Sequence, residues 1–89
     1  MIEKTFTIIN KLGLHARAAA KFVTTSSQCN AGIHVTRNGR TVNGKSIMGL
    51  MMLAAAKDTE ISVSAEGDDA VQAINEIESL INDFFGEGE

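Results

Sequence analysis

Asn38-Gly39 constrains this chain more than any other pair of residues. Asn-Gly is the strongest short-range signal for a two-residue hairpin, whose central positions both need positive φ. The pair follows Ile33-His34-Val35-Thr36 and precedes Arg40-Thr41-Val42. A two-residue turn sets Arg37 opposite Arg40 and Val35 opposite Val42, so the apolar residues of both strands share one face. The same alternation recurs twice. Ile2, Phe6 and Ile8 alternate with polar neighbours over residues 2–9, with Lys4 as the exception, and Ile61, Val63 and Ala65 alternate with Glu60, Ser62 and Ser64. Four strands that each keep one wet face predict an antiparallel or mixed sheet with every helix on the other side.

Three helical segments separate and follow these strands. ARAAAKFVTTSS (16–27) is rich in alanine, and SIMGLMMLAAAK (46–57) is nearly all apolar. The third opens at Asp68 as an N-cap and carries Ala70, Ile74, Ile77, Ile81 and Phe84 at helical spacing, with Gly86 just past its end. The predicted order is β-α-β-β-α-β-α, an α+β open-faced sandwich. No linker, repeat or low-complexity tract divides the chain and it has no proline, so residues 1–89 read as a single domain. The acidic tail GEGE (86–89) is expected to fray. A domain of this length hides about 60–65% of its unfolded surface, enough for one sheet covered on one side.

Composition excludes several functions. The net charge is −3, from 8 basic and 11 acidic residues, which leaves no basic stripe for nucleic acid. All four aromatics are Phe, so platforms for stacking bases are scarce. No segment reaches membrane-spanning length, and MIEKTFTIINK lacks the basic-then-apolar pattern of a secretory signal. A cytoplasmic protein with no membrane insertion is expected. The single Cys29 makes no internal disulfide and reads as a small, partly buried side chain.

GRTVNGKS (39–46) matches the phosphate-loop pattern G-x-x-x-x-G-K-[ST] letter for letter. The hairpin register argues against that chemistry. A phosphate loop needs free N–H groups converging on an anion, whereas Arg40 to Val42 are predicted to pair with Arg37 to Val35. What survives is that Ser46 stands at the start of a helix.

KLGLHARAAAKF (11–22) is more informative. Gly13 allows a tight turn, His15 falls at the N-cap, and Arg17 lies in the first helical turn. Imidazole is a poor capping group, so a further contact is expected to hold His15. The first N–H groups of a helix, here those of Ala16 and Arg17, lack intrahelical partners and carry partial positive charge. They are suited to an anion, so a phosphoryl group on a ring nitrogen of His15 would meet them and the Arg17 guanidinium. Alanines 18 to 20 are expected to leave room for a partner. The same letters also fit a surface histidine beside a surface arginine, and the pattern alone does not separate the two. His34 alternates onto the open face of the sheet, and His15 and His34 alone make no metal site.

GLHARAAAKFV (13–23) and NGKSIMGLMMLAAAKDTEISVSAEGDDA (43–70) resemble the active-site and regulatory segments of the HPr family, the histidine-containing phosphocarriers of the bacterial phosphoenolpyruvate-dependent phosphotransferase system. The resemblance spans nearly the whole chain. It implies a four-stranded antiparallel sheet in the order 1-4-2-3 with three helices on one face. His15 matches the histidine phosphorylated on Nδ1 by phospho-enzyme I, which then passes the group to an EIIA-type protein. Arg17 matches the arginine that assists. Ser46 matches the serine modified by a dedicated HPr kinase/phosphorylase in many bacteria. No cofactor is implied, and the chain would act as a stoichiometric carrier rather than an independent catalyst. Ala18 departs from the family, since many members carry proline there. Alanine is an excellent helix former, so the helix that holds His15 survives the change. Proline-lacking forms resemble proteobacterial carriers, often of a nitrogen-related regulatory branch, and sugar transport and that branch both stay open.

The partner surface is expected on the second helix. SIMGLMML is apolar all round, yet a short helix on a sheet buries only one side. Leu50 and Leu53 are assigned inward and Ile47, Met48 and Met51 outward. Gly49 either softens this helix or marks tight packing, and Ser46 is either a switch or a helix cap. Two readings of another class are a regulatory binding module using Ile47–Met51 and a small hydrolase using His15 as base. The hydrolase lacks a candidate nucleophile near His15.

Overall fold

The Asn38-Gly39 turn forms with φ of 51° and 79°, and Arg37 faces Arg40 and Val35 faces Val42 as the register requires. The computed structural model describes residues 1–89. Its elements are β1 (Ile2–Thr7), α1 (Ala16–Ser27), β2 (Gly32–Arg37), β3 (Arg40–Asn43), α2 (Ile47–Met52), β4 (Glu60–Glu66) and α3 (Ala70–Asn82), followed by a 3-10 turn at Phe84–Gly86. The four strands form one antiparallel sheet in the order β1-β4-β2-β3. The letters of GRTVNGKS therefore span a hairpin turn, a paired strand and a helix cap.

One face of the sheet supplies Phe6, Ile33, Val35, Ile61, Val63 and Ala65 to the core. The helices answer with Ala18, Ala19 and Phe22 of α1, Leu50 of α2, and Ala73, Ile74, Ile77 and Ile81 of α3. On the other face Thr5 lies against Ser62, and Thr36 bonds Thr41 at 2.7 Å, a row of hydroxyls that water reaches. His34 stands exposed on that face. Lys4, the break in alternation, shares the parity of Ile2 and Phe6. Its ammonium lies 5.8 Å from the Phe6 ring centroid and reaches Glu78 of α3 at 2.9 Å. A partly exposed pair of this kind adds about 0–1 kcal/mol, so its value is in placing a charge on the inner side of an edge strand.

The first strand ends at Thr7 instead of residue 9, and other details differ from expectation for tertiary reasons. The second helix stops at Met52 instead of continuing to 57. Ala54 turns to φ 49°, the N–H of Leu14 takes the carbonyl of Ala55 at 2.8 Å, and Arg37 and Arg40 donate to the carbonyls of Leu53 and Met52. The third helix is capped at Asp69, not Asp68. The Asp69 carboxylate serves another segment, accepting the N–H groups of Asn30 and Ala31 at 2.8 Å each. Phe85 rather than Phe84 is the fully buried aromatic, because both adopt positive φ (57° and 53°) after α3 ends. The tail, expected to fray, makes contacts with the body of the fold: the N–H of Lys11 donates to the Glu89 carbonyl at 3.0 Å, and the Glu87 side chain is largely buried.

The Asn30 N–H bond, then the Ala31 bond, hold the Asp69 carboxyl below its ordinary 3.8 against a desolvation penalty. A depressed carboxyl contributes stability above its unfolded value, and that contribution disappears as pH falls through the folded value. Wild type should therefore resist urea better than Asp69→Asn at pH 7, with the two curves converging only below pH 3.8. A gap that does not change with pH would show that the carboxylate charge is irrelevant to the clamp. Cys29 is buried and donates to Glu76 at 3.3 Å, and burial, then that bond, push its thiol up and keep it protonated.

Candidate functional site

The chain between β1 and α1 carries the candidate site. Gly13 has φ 69°, and a Cβ there would stand 2.6 Å from the Ala55 carbonyl oxygen and 2.9 Å from the Ala56 Cα. Only glycine lets this loop lie against the segment after α2. The N–H of Gly13 donates to the Asn10 carbonyl at 3.1 Å, and Leu14 is buried. The backbone is thereby anchored on both sides before His15.

His15 is the N-cap of α1, extended at φ −81° and ψ −178°, and its carbonyl accepts the N–H of Ala19 at 2.8 Å. The imidazole itself caps the helix. Its Nδ1 accepts the N–H of Arg17 at 3.3 Å, near the long limit for such a bond. Its Nε2 bonds the carboxylate of Glu87, the further contact that a poor capping group needs. Glu87 is also bonded through Oε1 by the side-chain N–H₂ of Asn10 at 3.0 Å. Burial opposes ionisation of Glu87, but the bonds from Asn10 and His15 and the positive charge of Lys21 outweigh it. The carboxyl lies below its usual range.

These partners define the tautomer. A backbone N–H only donates, so Nδ1 presents its lone pair; an ionised carboxylate only accepts, so Nε2 carries the hydrogen. The unprotonated lone pair thus sits on the nitrogen beside the helix N-terminus, held only by the long bond from the Arg17 N–H. Ala16 and Arg17 are exposed next to it, and the Arg17 guanidinium makes no hydrogen bond or ion pair within the chain. Lys11, Leu12 and Lys21 complete the surrounding hollow. Ala18 and Ala19 face the core, so the expected open approach is over Ala16 and, in part, Ala20. No group of three or more His, Cys, Asp and Glu side chains is placed to hold a metal ion, and no helix is long and apolar enough to cross a membrane.

Ser46 is the N-cap of α2, its hydroxyl accepting the N–H of Gly49 at 3.1 Å. Leu50 and Leu53 are buried, whereas Ile47, Met48 and Met51 are 41%, 77% and 45% exposed. Met52 and Leu12, which the sequence reading left out, enlarge the apolar surface. Gly49 marks tight packing, because a Cβ there would stand 3.3 Å from both Val42 and the Ser46 hydroxyl. Glu87 and Asn10 also escaped the sequence reading. Neither lies in a motif, and the tail had the composition of a frayed end.

The class of protein follows from sheet order and relatives together. The crystal structure of HPr-C-His from Thermoanaerobacter tengcongensis superposes with a TM-score of 0.94 at 47% identity, covering 98% of each chain. The phosphocarrier protein HPr of Neisseria meningitidis serogroup A is 55% identical over 89 residues, all of both chains. That of Pseudomonas aeruginosa is 52% identical over 84 residues, 93% of each. The family model described as the PTS HPr component phosphorylation site matches residues 2–83. The chain belongs to the HPr family, the phosphocarriers of the phosphotransferase system.

Proposed function

We propose that this protein accepts a phosphoryl group on Nδ1 of His15 from phospho-enzyme I and passes it to an EIIA-type acceptor. The observation that carries the reading is the fixed imidazole, with its Nδ1 lone pair at the N-terminus of α1 and its Nε2–H on Glu87. As the N–P bond of the donor breaks, the lone pair gives up the Arg17 N–H and forms the new N–P bond, and the ring retains its Nε2 proton. The ring then carries positive charge, which the Glu87 carboxylate faces. The phosphoryl oxygens meet the N–H groups at the helix start and the unpaired Arg17 guanidinium. One helix end stabilises an anion by about 0.3–1 kcal/mol, up to about 2 when partly buried. Such a modest grip suits a group that must leave again.

Incubation with phosphoenolpyruvate, Mg²⁺ and a competent enzyme I should add one acid-labile phosphate by intact mass, absent from His15→Ala. No adduct with a well-matched enzyme I would remove the carrier reading and shift attention to the binding module at Ile47–Met51.

Ser46 supports a regulatory role for a kinase/phosphorylase of the HPr type, since it borders the exposed Ile47, Met48 and Met51. Phosphate there adds about −2 charge at the edge of an apolar interface. Aspartate still caps a helix, so Ser46→Asp should fold normally yet take phosphate on His15 about tenfold more slowly, equivalent to about 1.4 kcal/mol. Unchanged transfer kinetics in the folded variant would reduce Ser46 to a cap.

A further inference from the structure

Asn10 is fully buried, unusual for a carboxamide, and both bonds of its side chain come from Nδ2. One goes to the carbonyl of Gly13 at 2.8 Å, inside the loop that precedes His15. The other goes to Oε1 of Glu87 at 3.0 Å, while Oε2 of the same carboxylate meets His15. The carboxamide therefore ties the phosphoacceptor loop and the tail together through a single nitrogen. The family match ends at residue 83, so the tail reaches the site from outside the matched region. Three further contacts hold it there. Lys21 donates to the Phe85 carbonyl at 2.7 Å, Phe85 is fully buried, and Lys11 meets Glu89 through backbone and side chain.

We infer that Asn10 is a positioning residue for phosphoryl transfer, acting through Glu87 to hold the His15 ring in the Nε2–H form. The inference rests on the carrier reading for its purpose, but not for its test. A carboxylate with one oxygen fixed presents the other at a defined angle to the imidazole. Without the Asn10 bond, Glu87 turns toward water and only the long Arg17 N–H bond to Nδ1 is left to distinguish the two ring nitrogens. The lone pair then divides between Nδ1 and Nε2, and only Nδ1 stands at the helix end.

The test is a four-protein cycle on the full chain with ¹⁵N-labelled histidine, at a pH where the imidazole is neutral. Wild type should show almost entirely the Nε2–H tautomer. Glu87→Ala should lower the ratio of Nε2–H to Nδ1–H by about tenfold, in line with losing a charge-assisted bond. Asn10→Ala should lower it severalfold, and should add almost nothing in the Glu87→Ala background. An unchanged ratio in Asn10→Ala, or the same change with Glu87 absent, would overturn the inference and confine Asn10 to its bond with Gly13. Should Asn10→Ala not fold, Glu87→Ala alone decides. The carboxamide resonances of Asn10 must then shift while the bond to Gly13 persists, and resonances that do not move refute the link. These spectra need no phosphoryl donor, so their outcome is separate from whether His15 is phosphorylated.

Discussion

Gly13→Ala will lower the stability of the fold by about 2–4 kcal/mol, much more than the usual cost of adding a methyl group to a surface turn. Two effects combine at this position. Left-handed backbone costs an L-residue roughly 1–2 kcal/mol, and Gly13 has φ 69°. The new Cβ would also stand 2.6 Å from the Ala55 carbonyl oxygen and 2.9 Å from the Ala56 Cα. Both are backbone atoms, which cannot rotate aside, so the loop must retreat from the segment after α2. That retreat lengthens the Leu14 to Ala55 hydrogen bond and lifts the residue before His15. Gly39→Ala separates the two effects, because Gly39 has φ 79° but nothing within 4 Å of its would-be Cβ. It should show the backbone cost alone, about 1–2 kcal/mol. Urea midpoints for both variants, with unchanged slopes, check the prediction. Equal losses at the two sites would mean that the loop shifts freely and that its contact with Ala55 contributes nothing.

Phe85→Ala should cost about 3–5 kcal/mol, the usual range for emptying a fully buried aromatic site. Its neighbour Phe84 is only half-buried, and Phe84→Ala should cost much less. The contrast is sharp because both residues hold positive φ, a conformation that costs each of them on the order of 1–3 kcal/mol. Two local bonds, from the Gly86 N–H to Asp83 and from the Glu87 N–H to Phe84, offset part of that strain. It persists because the Phe85 ring fills the core and its carbonyl takes the ammonium of Lys21. With the ring gone, the turn should relax and release Glu87 from His15. Comparable losses in the two variants would show that the tail is not seated on the core.

Periodicity fixed what depends on neighbours in sequence. The hairpin register, the inward and outward sides of α2 and the place of His15 at the N-cap of α1 were all legible from residues a few positions apart. What was missed depends on contacts between distant segments. Nothing in MMLAAAK announces a stop at Met52, because the stop is imposed by Leu14, Arg37 and Arg40. Asp68 and Asp69 are equivalent as letters, and only the proximity of Asn30 and Ala31 distinguishes them. His15 was legible as a residue, but its tautomer was not. That depends on Glu87, at the far end of a chain whose closing letters are those of a solvated tail. The tight packing of Gly49 on Val42 likewise needed the sheet to be in place.

The strand order has a consequence for how the chain comes off the ribosome. β4, the last strand synthesised, lies between β1 and β2. The β2–β3 hairpin closes locally and needs nothing downstream, but β1 has no backbone partner until residues 60–66 have emerged. For most of synthesis β1 is therefore without the strand it pairs with in the fold. Lys4, placed among the inward-facing side chains of β1, makes stacking onto a stranger's sheet unfavourable, and Glu78 arrives to neutralise it only when the rest of the protein is made. The one break in the alternation of β1 is thus a charge whose partner is the last of its neighbours to be made.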